Sequence, residues 1–206
     1  MKEIIVSKYG EPSVLKVREN QIPTPGKNEI LIRNHFTGIN FSEIMARMRL
    51  YPGAPSPPTT LGAEGCGVIE SLGENVTKFQ EGQRVMVFSR YASYATHICT
   101  NQDMVMPLPD QFSLEEGAAF PVIYITAYMM MFDLGNFREG ETILIHGAGG
   151  GVGTAAIQLA QAAGGDIIGT ASTWKHERLK KMEKAHLKIA EAYNLINNPV
   201  FDQIRQ

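Results

Sequence analysis

The sequence predicts an α/β chain with a strand-rich first half and a second half that opens a strand-helix-strand unit. Three observations predict it. Short apolar runs separated by turn residues extend from Glu3 to about Pro109, a helix-start signal at Ser113 changes the pattern, and a glycine-rich run, Gly147 to Gly153, follows an apolar strand. The 206 residues suffice for one large domain or two modest ones.

The clearest strand runs are EIIVSKY, SVLKVRE, NEILIRNHF, GVIESLG and RVMVF. Between them stand Pro23-Thr24-Pro25-Gly26, the proline-rich stretch Pro52 to Pro58, Gly73-Glu74-Asn75 and Glu81-Gly82, whose backbones favour turns. Many short strands at this spacing indicate a β-barrel or sandwich. Ser113 followed three residues later by Glu116 has the form of a capping box, so a helix is expected through Gly117-Ala118-Ala119. Pro121 interrupts it, and Val122 to Leu134 then reads as a mostly buried helical segment, with Met129-Met130-Met131 as core packing.

Thr142 to His146 reads as a buried apolar strand, Thr154 to Ala163 as an Ala-rich helix and Asp166 to Thr170 as a second strand. Glycines at such a strand-to-helix turn let the backbone approach a pyrophosphate, while the helix start supplies unpaired N–H groups and a favourable dipole. The loop Gly147-Ala148-Gly149-Gly150-Gly151-Val152-Gly153 therefore predicts a dinucleotide seat. A triphosphate-binding loop would need Gly-Lys followed by Ser or Thr, which Val152-Gly153-Thr154 lacks. A glycine turn serving only close helix–strand packing is the structural alternative. After the second strand comes Gly169-Thr170-Ala171-Ser172-Thr173-Trp174-Lys175, without a carboxylate to take a ribose 2′-hydroxyl. Hydroxyls and a lysine fit a 2′-phosphate instead. NADP, as NADPH, is the expected cofactor, with Thr170, Ser172 and Lys175 as contacts.

Composition narrows the rest. An apolar fraction of 44%, a charged fraction of 19% and a net charge of −2 describe a globular chain. No nucleic-acid partner is expected, because the one basic-rich stretch, Lys175 to Lys188, is interrupted by Glu177 and Glu183. Cys66 and Cys99 are too few for a disulfide framework and have no metal-knuckle spacing. Neither a secretory signal nor a membrane span is recognisable, so a cytoplasmic location is expected.

Several segments in order resemble the medium-chain dehydrogenase/reductase superfamily, and within it the quinone oxidoreductase branch with its vesicle amine transport protein 1-like group. They are Gly38-Ile39-Asn40-Phe41 with Arg47 and Tyr51, Gly62-Ala63-Glu64-Gly65, the Tyr-Ile-Thr-Ala-Tyr run ending at Tyr128, the glycine loop, and Thr170-Ala171-Ser172 before Lys175-His176. The resemblance covers about residues 1 to 178. It implies a GroES-like β-barrel domain over residues 1–112, a partial Rossmann dinucleotide-binding domain over 113–178 and a divergent helical tail over 179–206. The nicotinamide would lie in the cleft between the domains.

The resemblance also implies site roles. Zinc-dependent relatives place a cysteine and a histidine where this chain has Asn40 and Ala63, so no metal is expected. Hydride transfer from NADPH to a small-molecule quinone or α,β-unsaturated carbonyl is the implied chemistry. Asn40 would sit beside the nicotinamide, Thr126 would contact it, and Tyr51 would line the substrate pocket, with Asn40 and Tyr51 as the catalytic pair. Alternatively, Asn40 caps a turn, Thr126 satisfies a helix carbonyl and Tyr51 packs half-buried.

Three departures stand out. Met45 occupies a place often aromatic in quinone reductases, and Arg49 replaces a usual glycine. Beyond Lys180 the further strands of a doubly wound sheet do not follow; Lys181 to Asn197 reads as an amphipathic helix ended by Pro199. That helix, or a second copy in a homodimer, would cover the sheet edge. A truncated relative acting as a non-catalytic binding or regulatory protein is the competing reading.

Overall fold

The computed structural model describes residues 1–182, so the expected tail helix beyond Met182 lies outside the described residues. The chain divides into two compact units, Met1–Val122 and Ile123–Gln206.

The first unit is built from strands β1 (Lys2–Val6), β2 (Leu15–Glu19), β3 (Glu29–Phe36), β4 (Thr59–Thr60), β5 (Glu64–Leu72), β6 (Arg84–Phe88), β7 (His97–Asn101) and β8 (Val105–Pro107). They form a three-stranded sheet, β2-β1-β4, and a five-stranded sheet, β7-β3-β5-β6-β8, with all pairs antiparallel. Five strands coincide with the apolar runs read from sequence. The short β4 and β8, and β7 with its mixed run His-Ile-Cys-Thr-Asn, carry too little pattern to be seen. Ile30, Ile32, Ile69, Val85, Val87, Ile98 and Val105 close the core, each worth about 1.5–3 kcal/mol of burial.

Helix α1 (Phe41–Arg47) was not expected; it packs Ala46 into a second cluster with Val6, Val14 and Leu61. Helix α2 (Leu114–Ala118) begins as predicted, with Ser113 Oγ accepting from Glu116 N–H and the Glu116 carboxylate accepting from Ser113 N–H. Gly117 of α2 lies so close to β5 that a Cβ there would meet Cys66 Sγ at 2.7 Å. Burial pushes the Cys66 thiol up to about 12; Cys99 is pushed up to about 11 by burial, with the Glu29 charge adding to it.

Helix α3 (Pro121–Tyr128) starts at the proline and passes into a π turn, Met129–Leu134. The methionine row corrects a sequence reading: Met131 is buried, whereas Met129 and Met130 are exposed. Strand β9 (Thr142–His146), helix α4 (Gly151–Ala162) and strand β10 (Asp166–Thr170) follow, the strands pairing in parallel from Asp166 opposite Thr142 to Thr170 opposite His146. This is the β-α-β unit of a Rossmann domain, read in place and in order. Its burial was misjudged, since Ile145 alone of β9 is buried and Leu144 is 55% exposed. Helix α5 (His176–Met182) ends the described chain.

Candidate functional site

In the first unit the predicted Asn40 stands at the start of α1, in extended conformation, and forms a capping box with Glu43. Its backbone N–H donates to Glu43 Oε2 at 2.5 Å, a carboxylate that also accepts from Tyr94 Oη at 2.9 Å and, through Oε1, from Ala63 N–H at 2.8 Å. The Nδ2 end of the Asn40 amide donates to Glu64 Oε1 at 2.8 Å. The second oxygen of Glu64 accepts from Val122 N–H at 2.8 Å. Asn40 is therefore bracketed by two carboxylates that are themselves buried, Glu43 and Glu64.

The electrostatics follow from that burial. Desolvation raises the Glu64 pKa and the nearby Glu43 charge adds to it, while the bonds from Val122 and Asn40 pull the other way without winning. Burial likewise raises Tyr94, aided by the Glu43 charge and hydrogen bond. Gly38 is needed here, because a Cβ would meet Glu64 Oε1 at 2.1 Å and the Ala118 carbonyl at 2.8 Å.

Tyr51 lies apart from this network, exposed on the loop after α1. On the same loop Arg49 takes a left-handed φ of 63°, the conformation a glycine would hold without strain, and its guanidinium sits 5.5 Å from the Tyr9 ring centroid. An apolar groove of about 530 Å³ runs beside the network, walled by Ile4, Leu15, Val17, Phe36 and Ile39 with Glu43 and Tyr94 also lining it. Neither Asn40 nor Tyr51 lines it.

In the second unit the loop from Gly147 to Gly153 joins β9 to α4. Gly147 has a φ of 69°, and a Cβ on Gly153 would strike the Gly147 carbonyl at 2.4 Å, so helix start and strand end are packed as closely as backbones allow. Ala148 N–H is tied to the Thr170 carbonyl at 2.9 Å, fixing the loop to β10. The outer side is open: a Cβ on Gly147 would meet nothing within 4 Å, and one on Gly150 only the Gly147 carbonyl at 3.3 Å. There the first-turn N–H groups of Gly151, Val152 and Gly153 have no intrahelical acceptor. Gly147, Gly150, Gly151, Val152 and Gly153 line one cavity of about 1010 Å³ with Met130, Phe137 and the face of β9.

Lys175 reaches this loop from the turn that follows β10. Its Nζ donates to the Gly149 carbonyl at 3.2 Å and lies 4.9 Å from the Trp174 ring centroid, and its Cδ would be 2.5 Å from a Cβ on Gly149. The Thr170 hydroxyl shares a hydrogen bond with His146 Nδ1 at 3.1 Å, and the Ser172 carbonyl accepts from Lys175 N–H at 2.9 Å, leaving the exposed Ser172 hydroxyl at the surface. Thr126 is half-buried on α3, three residues beyond Ile123, whose Cγ2 would lie 3.0 Å from a Cβ on Gly151.

An open cradle that a Cβ would narrow, helix-start amides around it and an ammonium at its rim fit a dinucleotide diphosphate. Glu43, Glu64, Tyr94, His146 and Trp174 were not singled out from sequence as site residues. Glu64 stood within the quoted Gly62-Ala63-Glu64-Gly65 motif, Trp174 within the segment ending at Lys175, and Glu43 at cap spacing from Asn40.

Comparison with known proteins agrees with this architecture. Residues 26–118 match the alcohol dehydrogenase GroES-like domain family. The chain is 38% identical over 181 residues to the mouse synaptic vesicle membrane protein VAT-1 homolog-like, an alignment covering 87% of this chain and 43% of the relative. It is 35% identical over 207 residues to mouse quinone oxidoreductase, covering 100% of this chain and 61% of that protein. The human VAT-1 homolog-like crystal structure superposes with a TM-score of 0.83 at 37% identity, over 88% of this chain and 60% of the other. The Escherichia coli quinone oxidoreductase structure, complexed with NADPH, gives 0.81 at 33% identity, over 88% and 56%. The chain thus spans between 43% and 61% of the length of the two curated relatives. With its GroES-like domain, its Rossmann-type β-α-β unit and these relatives, the chain belongs to the medium-chain dehydrogenase/reductase superfamily, on the quinone oxidoreductase branch.

Proposed function

We propose that the chain serves an NADPH-dependent, zinc-independent oxidoreductase that acts on a quinone or an α,β-unsaturated carbonyl. The observation that carries this reading is the open glycine cradle with Lys175 held at its rim. When bound, NADPH supplies the hydride, and a proton from water completes reduction of the acceptor. The chain's own residues bind and orient. The amides of Gly151, Val152 and Gly153 face the diphosphate, and Lys175 with Ser172 and Thr170 holds the 2′-phosphate that distinguishes NADPH from NADH. Asn40 presents its amide to the nicotinamide, Thr126 supports the ring, and Tyr51 meets the acceptor. Zinc chemistry is disfavoured by chemistry alone: the Asn40 amide and the Ala63 methyl are not zinc donors.

Trp174 is the one tryptophan of the chain and is 79% exposed beside Lys175, so it reports on this segment directly. NADPH should quench its fluorescence, and NADH should bind about 10-fold more weakly, the worth of one charge-assisted phosphate contact. Replacing Gly150 by leucine fills the cradle and should abolish the quenching. An unchanged affinity in that variant removes the nucleotide seat. Tight binding without turnover of any quinone or enone would favour the non-catalytic binding protein instead.

A further inference from the structure

Asn40 is an amide that could present either end to a ligand, since its oxygen and nitrogen differ little in shape. What decides the orientation is the neighbour. A carboxylate accepts and does not donate, so the atom facing Glu64 Oε1 at 2.8 Å must be Nδ2. Glu64 is held in turn: its other oxygen takes the N–H of Val122, the second residue of α3, at 2.8 Å, and the carboxylate is 2% exposed. It thus clips the start of α1 to the start of α3 through one buried group.

We propose that Glu64 is the positioning residue of this site: its carboxylate fixes the Asn40 amide with Nδ2 inward and ties it to the N-terminus of α3. The catalytic meaning of that orientation rests on the cofactor-site reading of Asn40; the orientation itself does not. The arrangement favours the ionised form, because both oxygens are placed to accept N–H donors. That form is costly in a buried place beside Glu43 on α1, the charged group that faces it, with Tyr94 donating to Glu43 alongside. Such a cost is retained where a geometry is being enforced. A carboxyl that served packing alone would be matched by an uncharged isostere.

Glu64→Gln is that isostere, and it cannot satisfy the site while Nδ2 of Asn40 points inward. A glutamine amide offers one oxygen, so with that oxygen on Val122 N–H its NH₂ group faces Asn40, whose amide must then turn over and put Oδ1 inward. The first readout is the side-chain amide of Asn40, followed by nitrogen-15 NMR in the whole chain without nucleotide. Exchange of its Nδ2 protons should be at least about 10-fold faster in the variant, the equivalent of one hydrogen bond to a charged group. In the unaltered protein the Asn40 nitrogen shift should titrate with the same midpoint as the Glu64 carboxyl carbon, which serves equally if the variant does not fold. Unchanged exchange, or two independent midpoints, overturns the proposal whatever NADPH does.

The second readout is NADPH affinity by Trp174 fluorescence. Glu64→Gln should weaken binding about 10-fold, and adding Asn40→Ala to it should weaken binding no further than Asn40→Ala alone. If Asn40→Ala leaves affinity intact while the amide readouts hold, the cofactor role of Asn40 fails and the positioning of its amide stands.

Discussion

The two units bury their strands by opposite means. In Met1–Val122 the inner strand β3 is buried at Ile30, Leu31 and Ile32, and the carboxylates that enter the interior, Glu3, Glu43 and Glu64, are met by several donors. In the second unit β9 and β10 pair with each other and keep Leu144 at 55% and Ile168 at 57% exposure. Parallel strands are ordinarily buried on both faces, so their apolar sequence is written for more cover than the described residues supply. The antiparallel strands of the first unit close their core with one another, bringing together positions as far apart in the chain as Ile30 and Val105. The difference is one of how much of a unit's burial its own described residues provide.

The largest effect that sharpens this contrast is Ile32→Ala, expected to cost about 3 kcal/mol in urea unfolding, against less than about 0.5 kcal/mol for Leu144→Ala. Comparable losses at the two positions would break the contrast. Gly153→Ala comes next. Gly153 is buried although the outer side of the loop is open, and the new Cβ meets backbone at 2.4 Å, so a loss of about 2 kcal/mol is expected together with weaker NADPH quenching of Trp174. A variant as stable as the parent would show that the loop yields.

Glu3 gives the smallest effect and a pH signature. Burial works against its charge, but hydrogen bonds from Thr60, Arg18 and Asn20 and the Arg18 charge outweigh it and lower its pKa below 4.5. A lowered folded value means stability that is present above 4.5 and lost as pH falls through the folded pKa. Glu3→Gln should therefore cost about 1 kcal/mol at pH 7, discounted because Arg18 is half-exposed, and the gap between the two melting curves should close in acid. A gap that does not narrow as pH falls below 4.5 would contradict the ionic origin.

What was legible in the sequence depended on how local the cause was. Ser113-Leu114-Glu115-Glu116 carries its own start signal and the helix began there; β3, β5 and β6 declare themselves by apolar content. Helix α1 escaped because its outward face is apolar, with Phe41 and Ile44 exposed, although Asn40 and Glu43 stand at cap spacing. Arg49 was noticed as an oddity, and its left-handed backbone supplies the reason a glycine belongs there. The Glu64 clip was out of reach: its partners lie 24 residues before and 58 after it, and only the folded sheet brings them together. The methionine row failed because composition says what fills a core but not which side of a π turn faces it.

The two thiols carry a last consequence. With Cys66 pushed up to about 12 and Cys99 to about 11, little of either thiol is present as the reactive anion at neutral pH. Quinones and enones arylate or alkylate such anions. Under the proposed function, which would bring such electrophiles to the chain, both thiols would resist that modification because burial, rather than the absence of cysteine, keeps their sulfur protonated.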